Sequence, residues 1–389
     1  MKRIICLAIA LVMVLTLLAA CGQSTGGNTS PPPASSSVQS PAGSPAETPK
    51  QLTQLKYGAP STATSNTVWY AYTNGYFKEY GVDLDLTFFN SGASLQDAAR
   101  ASEIDVYSLG GMSSLTGATT FGSCFVAYLA PDNAAYRVYA RNDSPVIQSG
   151  KGHIAKYPDV YGSADAWKQS TVLLTKGQSG HYTISAIATL LGLTMADVPN
   201  MDIEQNQIPA IFAAGEGDVM VVGNPNWAEF AADPDNYTMV ASLDMLYPDY
   251  DNVATIMAVS SALQNKEDAV FGFVKALVRA QSELAADHEL YVQSMYTWQQ
   301  EYKVDATEED ARFDVQFYKL PTFNWLEEYM GGDPGKSIIE GVFLSIGKFM
   351  LGNDSMTQEN FDKLSNNVHN MILTKYTLRA VEELRAEGH

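Results

Sequence analysis

The sequence alternates between strand-like segments, loops of small polar residues and helical segments. In the segment 82–89, Val82, Leu84, Leu86 and Phe88 lie on one face at a period of two, which is typical of a β-strand. A loop of Asn, Ser and Gly follows, and then a helical segment. Strand, loop and helix repeated in this order predict an α/β fold in which helices connect the strands of a sheet.

This order of elements occurs twice along the chain. The first set begins with a strand at 55–58, and the second begins with a strand at 170–174. Two extended stretches, at 135–141 and within 239–257, are suited to cross between two lobes. We therefore expect lobe I to combine 53–138 with 245–389, and lobe II to span 139–244.

The C-terminal part of the chain is predicted to be helical. Helices are expected at 334–351 and 357–384, besides an earlier one at 67–77. A further helix after Asn265 places a set of apolar residues on one face. These residues are Val270, Phe273, Val274, Leu277, Val278 and Leu284.

The N-terminus has the pattern of a secretory signal. Two basic residues, Lys2 and Arg3, precede an apolar run that is shorter than the roughly 20 residues needed to span a bilayer. The run ends at Leu18-Ala19-Ala20-Cys21, which resembles the lipobox of bacterial lipoproteins, whose cysteine is acylated. We expect a signal peptide at 1–20 and a lipidated Cys21 that opens a disordered Ser/Pro/Gly linker at 21–52. The alternative is an ordinary signal peptide with an incidental cysteine.

Charge and cysteine content exclude several classes of protein. The formal net charge of −19 disfavours nucleic acid as a partner, since nucleic-acid binding needs clustered Lys and Arg. Attachment to an anionic membrane would have to come from the lipid on Cys21. Of the three cysteines only Cys124 lies in the folded body, so no internal disulfide is expected.

Enzyme motifs are lacking. The segment Gly177-Gln178-Ser179-Gly180-His181 differs from a nucleophile elbow, which needs glycine at the position of His181. The five histidines show no metal-ligand spacing, and no phosphate-binding glycine pattern occurs. We expect no catalytic residue, no metal and no cofactor.

Several motifs together carry a resemblance to a known family. Gly75-Tyr76-Phe77, Glu103-Ile104-Asp105-Val106, the stretch 176–181 and the stretch 213–219 occur in the family's order. They resemble solute-binding proteins of ABC importers of the sulfonate/nitrate/taurine and thiamine-pyrimidine-precursor type. Gly223-Asn224-Pro225 departs from the family's Trp-Asp/Glu-Pro.

The resemblance implies a two-lobed, type 2 periplasmic-binding-protein-like fold with two crossing strands and a helical C-terminal part. It implies a monomer on the outer face of the bacterial cell membrane that delivers a small solute to an ABC permease. The solute would be a small anion such as a sulfonate, or a pyrimidine or aromatic compound. A ligand sensor, an adhesin and a pyrimidine-precursor-type enzyme are the alternatives on this fold.

The ligand is expected at the carboxyl ends of the strands, where loops pass into helix N-termini. Glycine there brings the backbone close to a ligand, Ser, Thr and Asn supply hydrogen bonds, and Trp offers a ring for stacking. The predicted ligand-binding residues are Ser61, Thr62, Trp69, Ser91, Gly92, Gly111, Met112, Ser179, Gly180, His181, Tyr182, Asn224 and Trp227.

Overall fold

The computed structural model describes residues 52–60, 62–89, 92–133, 135–224, 226–247, 249–302 and 306–389. Cys21, Ser61 and Ser91 lie outside these ranges, as do the predicted signal peptide and nearly all of the linker. The strands are β1 (Thr53–Pro60), β2 (Val82–Phe89), β3 (Val106–Gly110), β4 (Cys124–Pro131), β5 (Tyr136–Arg141), β6 (Val172–Leu174), β7 (Asn200–Asp202), β8 (Val219–Gly223), β9 (Tyr237–Ser242) and β10 (Val253–Ala258). The helices are α1 (Asn66–Thr73), α2 (Tyr76–Glu79), α3 (Gly92–Arg100), α4 (Gly111–Phe121), α5 (Pro145–Ser149), α6 (Ala164–Gln169), α7 (Ser179–Leu190), α8 (Ile208–Ala213), α9 (Ala228–Ala231), α10 (Ser260–Asn265), α11 (Glu267–Ala286), α12 (His288–Glu301), α13 (Glu308–Asp314), α14 (Phe323–Met330), α15 (Ile338–Gly352), α16 (Gln358–Met371) and α17 (Lys375–Glu387).

The strands form two five-stranded sheets with the same strand order. The first sheet has the order β2-β1-β3-β10-β4 and the second has the order β7-β6-β8-β5-β9. In each sheet four strands run in the same direction, and the strand in the fourth position is antiparallel to both of its neighbours. That fourth strand, β10 or β5, enters from the other sheet. The predicted two-lobed α/β architecture is thereby confirmed.

The chain passes between the sheets after Pro131 and again after Ser242. We call residues 132–135 and 243–252 the crossing segments, of which Ala134 and Pro248 lie outside the described residues. They lie side by side: the Asn133 side-chain amide donates to Asp251 Oδ1 at 3.0 Å, and the Asp132 backbone N–H donates to the Asn252 carbonyl at 3.1 Å. The first crossing is shorter than the predicted 135–141, because β5 pairs there with β8 and β9.

Buried and exposed residues alternate in an edge strand of the first sheet but not in a central strand. In β2, an edge strand, Val82 and Leu84 are buried while Asp83 and Asp85 are exposed. In β10, which lies between β3 and β4, all six residues are buried. A period of two is visible in the sequence only where one face of the strand meets water.

Two predicted helices are interrupted, and a third starts later than expected. The predicted helix at 67–77 is divided into α1 and α2 at Gly75, which has a φ of +77°. The predicted helix at 357–384 is divided into α16 and α17, because the Leu373 N–H donates to the Phe125 carbonyl of β4 at 2.9 Å. α15 begins only at Ile338, where Ser337 and Glu340 form a capping box.

Helix α11 links the C-terminal helices to the first sheet. Its six predicted apolar residues are all buried, as expected. Lys275 forms ion pairs with Glu383 at 2.8 Å and Glu387 at 2.6 Å on α17, and the Gln281 amide donates to the carbonyls of Tyr128 and Leu129 on β4. Within the described ranges, no helix has the length and apolar content needed to cross a membrane.

The contact between α11 and the start of β2 is tight enough to test by mutation. A Cβ on Gly272 would lie 2.5 Å from the Tyr80 carbonyl oxygen and 3.0 Å from Val82 Cγ2. Gly272→Ala is expected to lower the free energy of unfolding by about 1–3 kcal/mol, because the backbone must shift. Urea denaturation followed by circular dichroism measures the change.

Gly341→Ala is the matched control, since Gly341 lies in α15 with no atom within 4 Å of the added Cβ. Alanine should raise the stability there by about 0.5–1 kcal/mol through its better helix propensity. Equal effects of the two substitutions would contradict the packing argument.

Candidate functional site

A cavity of about 420 Å³ lies between the two sheets, where strand ends pass into loops. The first sheet and the helices packed on it, with the Asp132 crossing, contribute Pro60, Thr62, Thr64, Gly92, Ser108, Leu109, Gly110, Met112, Ser113, Leu129, Asp132, Ala254 and Tyr318. The second sheet and the residues leading into it contribute Ala135, Tyr136, Gln178, Ser179, Glu204, Gln205, Asn206, Gly223 and Asn224. A molecule of moderate size in this cavity would touch loops from both sheets.

The loops predicted to face a ligand supply part of this lining. Thr62 follows β1, Gly92 opens α3, Met112 lies in the first turn of α4, Ser179 opens α7 and Asn224 follows β8. These five residues, distant in sequence, meet at one cavity because the carboxyl ends of the parallel strands face it. Their contact with a solute stays a prediction.

Two predicted glycines lie behind the lining. A Cβ on Gly111 would lie 2.8 Å from Asn252 Oδ1, and a Cβ on Gly180 would lie 3.0 Å from Val221 Cγ2. Both glycines therefore allow the first turns of α4 and α7 to approach their neighbours. This close packing accounts for glycine at both positions.

His181 and Tyr182 are buried on the inner side of α7 and do not line the cavity. His181 is 6% exposed, and its Nδ1 accepts a hydrogen bond from the Gly177 N–H at 3.2 Å. Burial and the nearby charge of Lys176 lower the pKa of His181. Both rings pack against Phe349 of α15. His181 thus supports the loop before α7 from behind.

The two predicted tryptophans are also in the packed interior. The Trp69 indole N–H donates to Glu301 at 3.0 Å, and the Trp227 indole N–H donates to the Ala135 carbonyl at 3.1 Å. The Arg137 guanidinium lies over the Trp227 ring at 4.7 Å. The aromatic rings that do line the cavity are those of Tyr136 and Tyr318.

Asp132 lies at the centre of a hydrogen-bonded group that the sequence analysis did not single out. Its Oδ2 accepts from Ser179 Oγ at 2.8 Å and from Asn252 Nδ2 at 2.7 Å. Asn252 Nδ2 is also 2.7 Å from Ser179 Oγ. We call these three residues the Asp132 cluster. It connects both crossing segments to the first turn of α7.

The carboxylate of Asp132 lies close to two helix N-termini. Ser179 is the first residue of α7, and a Cβ on Gly110, the N-cap of α4, would lie 3.2 Å from Asp132 Oδ2. Neither helix has a side-chain hydrogen bond from its own N-cap residue. A helix N-terminus favours a nearby negative charge, so both helices oppose part of the cost of burying this carboxylate.

Burial raises the pKa of Asp132 to about 7. The hydrogen bond from Ser179 opposes this rise, and the negative charge of Asp251 adds to it. Asp251 is itself buried, which raises its pKa, and it accepts a hydrogen bond from the Tyr329 hydroxyl at 2.8 Å. Asp132 therefore changes its charge near neutral pH.

Acidic side chains are present in the lining and basic ones are not. Asp132 and the exposed Glu204 are its carboxylates, and among the described lining residues there is no Lys, Arg or His. Hydroxyls, amides and backbone groups make up the other polar surface, including Asn224, whose amide donates to Asp314 at 2.8 Å. In the described part of the chain, no group of three or more His, Cys, Asp or Glu is arranged to hold a metal ion.

The sequence contained a signal for Asp132. It follows Pro131 at the end of the buried strand β4, so it lies at a strand end. Asn252 directly precedes β10, an antiparallel strand, and its nearness to Asp132 depends on the pairing of β10 with β4. The predicted site residues follow strands that lead into helices, whereas Asp132 follows a strand that leads into a crossing segment.

The raised pKa of Asp132 predicts a pH-dependent stability. Between its ordinary value of 3.8 and about 7, the folded protein keeps a proton that the unfolded chain releases, so the free energy of unfolding falls as pH rises. Asp132→Asn removes this effect. From pH 5 to pH 8, the free energy of unfolding of the variant should rise relative to that of the wild type by on the order of 2 kcal/mol.

Urea denaturation at both pH values measures the difference between the two proteins. Asp235→Asn, at an exposed residue before β9, makes the same change in net charge and should show no such gain. A constant difference between wild type and Asp132→Asn at pH 5 and pH 8 would refute the prediction.

Comparison with known proteins identifies the family. A model of the NMT1-like family matches residues 48–291, which is more than half of the chain. A protein of Brachyspira hyodysenteriae, provisionally named as an ABC transporter periplasmic binding protein, is 24% identical over 282 residues, with 72% of this chain and 80% of that protein covered.

Two solved structures show the same fold. The alkanesulfonate-binding protein SsuA from Xanthomonas axonopodis pv. citri, bound to MOPS, matches with a TM-score of 0.60 at 13% identity, covering 79% of this chain and 96% of that chain. The nitrate-binding protein NrtA from Synechocystis PCC 6803 matches with a TM-score of 0.61 at 15% identity, covering 86% and 89%. Together, the family match and these structures show that the chain belongs to the NMT1-like family and has the periplasmic-binding-protein fold.

Proposed function

We propose that this protein captures a small polar solute in the cavity between its two sheets and delivers it to an ABC import permease. The observation that carries the proposal is the cavity itself, which is lined by loops from both sheets. The named relatives, an ABC transporter binding protein and binding proteins for alkanesulfonate and nitrate, support it. In this proposal the protein binds and releases the solute unchanged and is not an enzyme.

Closure of the lobes around the solute follows from the same geometry. We take the predicted lobes, 53–138 with 245–389 and 139–244, with the first boundary moved to the crossing segment at 132–135, since β5 belongs to the second sheet. A solute that touches Thr62 and Met112 on one side and Ser179 and Asn224 on the other makes its full set of contacts only when the lobes are closed. Since a ligand shifts a conformational equilibrium by its differential affinity, such a solute favours the closed state. The permease would then recognise the closed form of a monomer.

The proposed location is the outer face of the bacterial cell membrane. Cys21 would carry the acyl groups, and the linker at 21–52 would hold the folded body away from the bilayer. Thirty residues of flexible chain have a mean reach of about 30 Å. With a net charge of −19, the protein has little attraction for an anionic bilayer, so the lipid would provide the attachment.

The anchor is tested by substitution of the cysteine. Cys21→Ala should abolish incorporation of radiolabelled palmitate and release the protein from the membrane fraction, because the sulfur that is acylated is gone. The mature wild-type protein should begin at Cys21 in mass spectrometry. Cys124→Ala is the control and should keep the label, since Cys124 is a half-buried residue of the body. Palmitate on the Cys21→Ala protein would contradict lipidation at this residue.

Transport is tested with the compound that the protein itself carries. The solute released by denaturing the purified protein is identified by mass spectrometry and prepared in labelled form. Deletion of the gene should abolish uptake of this compound, and the wild-type gene should restore it. Unchanged uptake together with a lost cellular response would point instead to a sensor, and chemical conversion of the compound by the protein would point to an enzyme.

A further inference from the structure

We infer that the solute is an organic cation, such as a protonated amine, and that Asp132 is the counter-ion that binds it. This inference rests on the proposed function and specifies the chemical class of solute at the same cavity. The sequence alone left a small anion and an aromatic compound open, so the charge of the solute is a separate question.

The charge of the cavity lining favours a cationic solute. Asp132 and Glu204 are the acids, and no basic side chain is present among the described residues that line the cavity. An anion bound here would lie beside like charge without a counter-ion, which is unfavourable in a cavity partly shielded from water. A cation would meet attraction from both carboxylates.

The helix N-termini at the cavity, where an anion would otherwise bind, already have a carboxylate beside them. Helix N-termini attract anions, and α7 and α4, of 12 and 11 residues, both begin at this cavity. Here Asp132 occupies that position, with Ser179 Oγ donating to its Oδ2 and Gly110 leaving room beside it. The protein's own carboxylate therefore takes the interaction that a sulfonate or nitrate would need.

The incomplete pairing of Asp132 also favours a cationic solute. Its Oδ2 accepts two hydrogen bonds, whereas among the described residues Oδ1 has no hydrogen-bond donor and the carboxylate has no ion pair with Lys or Arg. An ionised carboxylate that is partly shielded from water is costly unless it is paired. A cation in the cavity would complete the pairing.

The aromatic residues of the lining fit the same class of solute. Tyr136 and Tyr318 border the cavity, and the Tyr136 hydroxyl donates to Gln205 Oε1 at 3.1 Å. Rings of tyrosine attract ammonium groups through their negative faces. The surrounding hydroxyls and amides offer acceptors for the hydrogens of an amine and for polar groups on the rest of the solute.

The charge state of Asp132 adds a dependence on pH. Burial raises its pKa to about 7, and the titratable groups around it are the acids Asp251 and Glu204 and the tyrosines Tyr128, Tyr136 and Tyr318. Because only the ionised carboxylate attracts a cation, the affinity of the wild-type protein should rise as pH increases from 6 to 8. A bound cation should in turn lower the pKa of Asp132.

The experiment uses three sets of probes with matched carbon skeletons: small primary and quaternary amines, the corresponding alcohols, and the corresponding sulfonates. A thermal-shift screen of the full chain selects compounds, and calorimetry measures their Kd at pH 6, 7 and 8. We expect amines to be selected over their alcohol and sulfonate counterparts. Their Kd should fall as pH rises.

The variant that tests the residue is Asp132→Asn, with Asp235→Asn as the control of equal charge. Asp132→Asn should weaken binding of the selected amines about 10- to 100-fold, as expected for loss of a charge-assisted hydrogen bond. Asp235→Asn should leave the Kd within about twofold, since an exposed surface charge is screened. The pH dependence in the wild-type protein is an independent readout if Asp132→Asn is poorly folded.

The outcomes separate this inference from the proposed function. Selection of sulfonates, an unchanged Kd in a folded Asp132→Asn protein, or an affinity that falls as pH rises overturns the assignment of a cation. If uptake still depends on the gene, the proposed function stands in each of these cases. If no probe binds and deletion leaves uptake of the co-purified compound unchanged, both are overturned.

Discussion

The carboxylate of Asp132 holds together the parts of the chain that meet at the cavity. Through Oδ2 it binds the amide of Asn252 on the other crossing segment and the hydroxyl of Ser179 at the start of α7. Asp132 and Asn252 both belong to the crossing segments, whereas Ser179 opens a helix packed on the second sheet. The contact to Ser179 is therefore the one that a rotation of the second sheet would strain.

The identical order of the two sheets explains why a cavity forms beside this cluster. Each sheet is completed by a strand from the other, so the crossing segments run next to the carboxyl ends of the parallel strands. Residues that leave those strands, such as Thr62 after β1 and Asn224 after β8, then face one another across a gap. The arrangement of the sheets determines where the cavity lies, and the side chains at the strand ends and in the loops determine which groups a ligand can contact.

The fold is shared with proteins named for anionic ligands, but the charged side chains in the described lining of this cavity are acidic. At 13% and 15% identity, the similarity to SsuA and NrtA concerns the backbone. Proteins that share a fold can differ in ligand class, because the residues that line the site change while the backbone arrangement is kept. In this chain the acidic residues of the described lining are Asp132 and Glu204.

The sequence by itself determined the α/β class, the two sets of strands, the helical C-terminal part and five of the loop residues that line the cavity. These depend on local patterns: a period of two in β2, a buried face on α11, and small polar residues after strands. Tertiary structure decided that His181 and Trp227 lie behind the lining and that α16 and α17 are separate helices. It also decided that Asp132 and Asn252, 120 positions apart, are hydrogen-bonded to each other through both side chain and backbone. Such outcomes depend on which strands pair across long stretches of chain, and the local pattern around a residue does not contain that information.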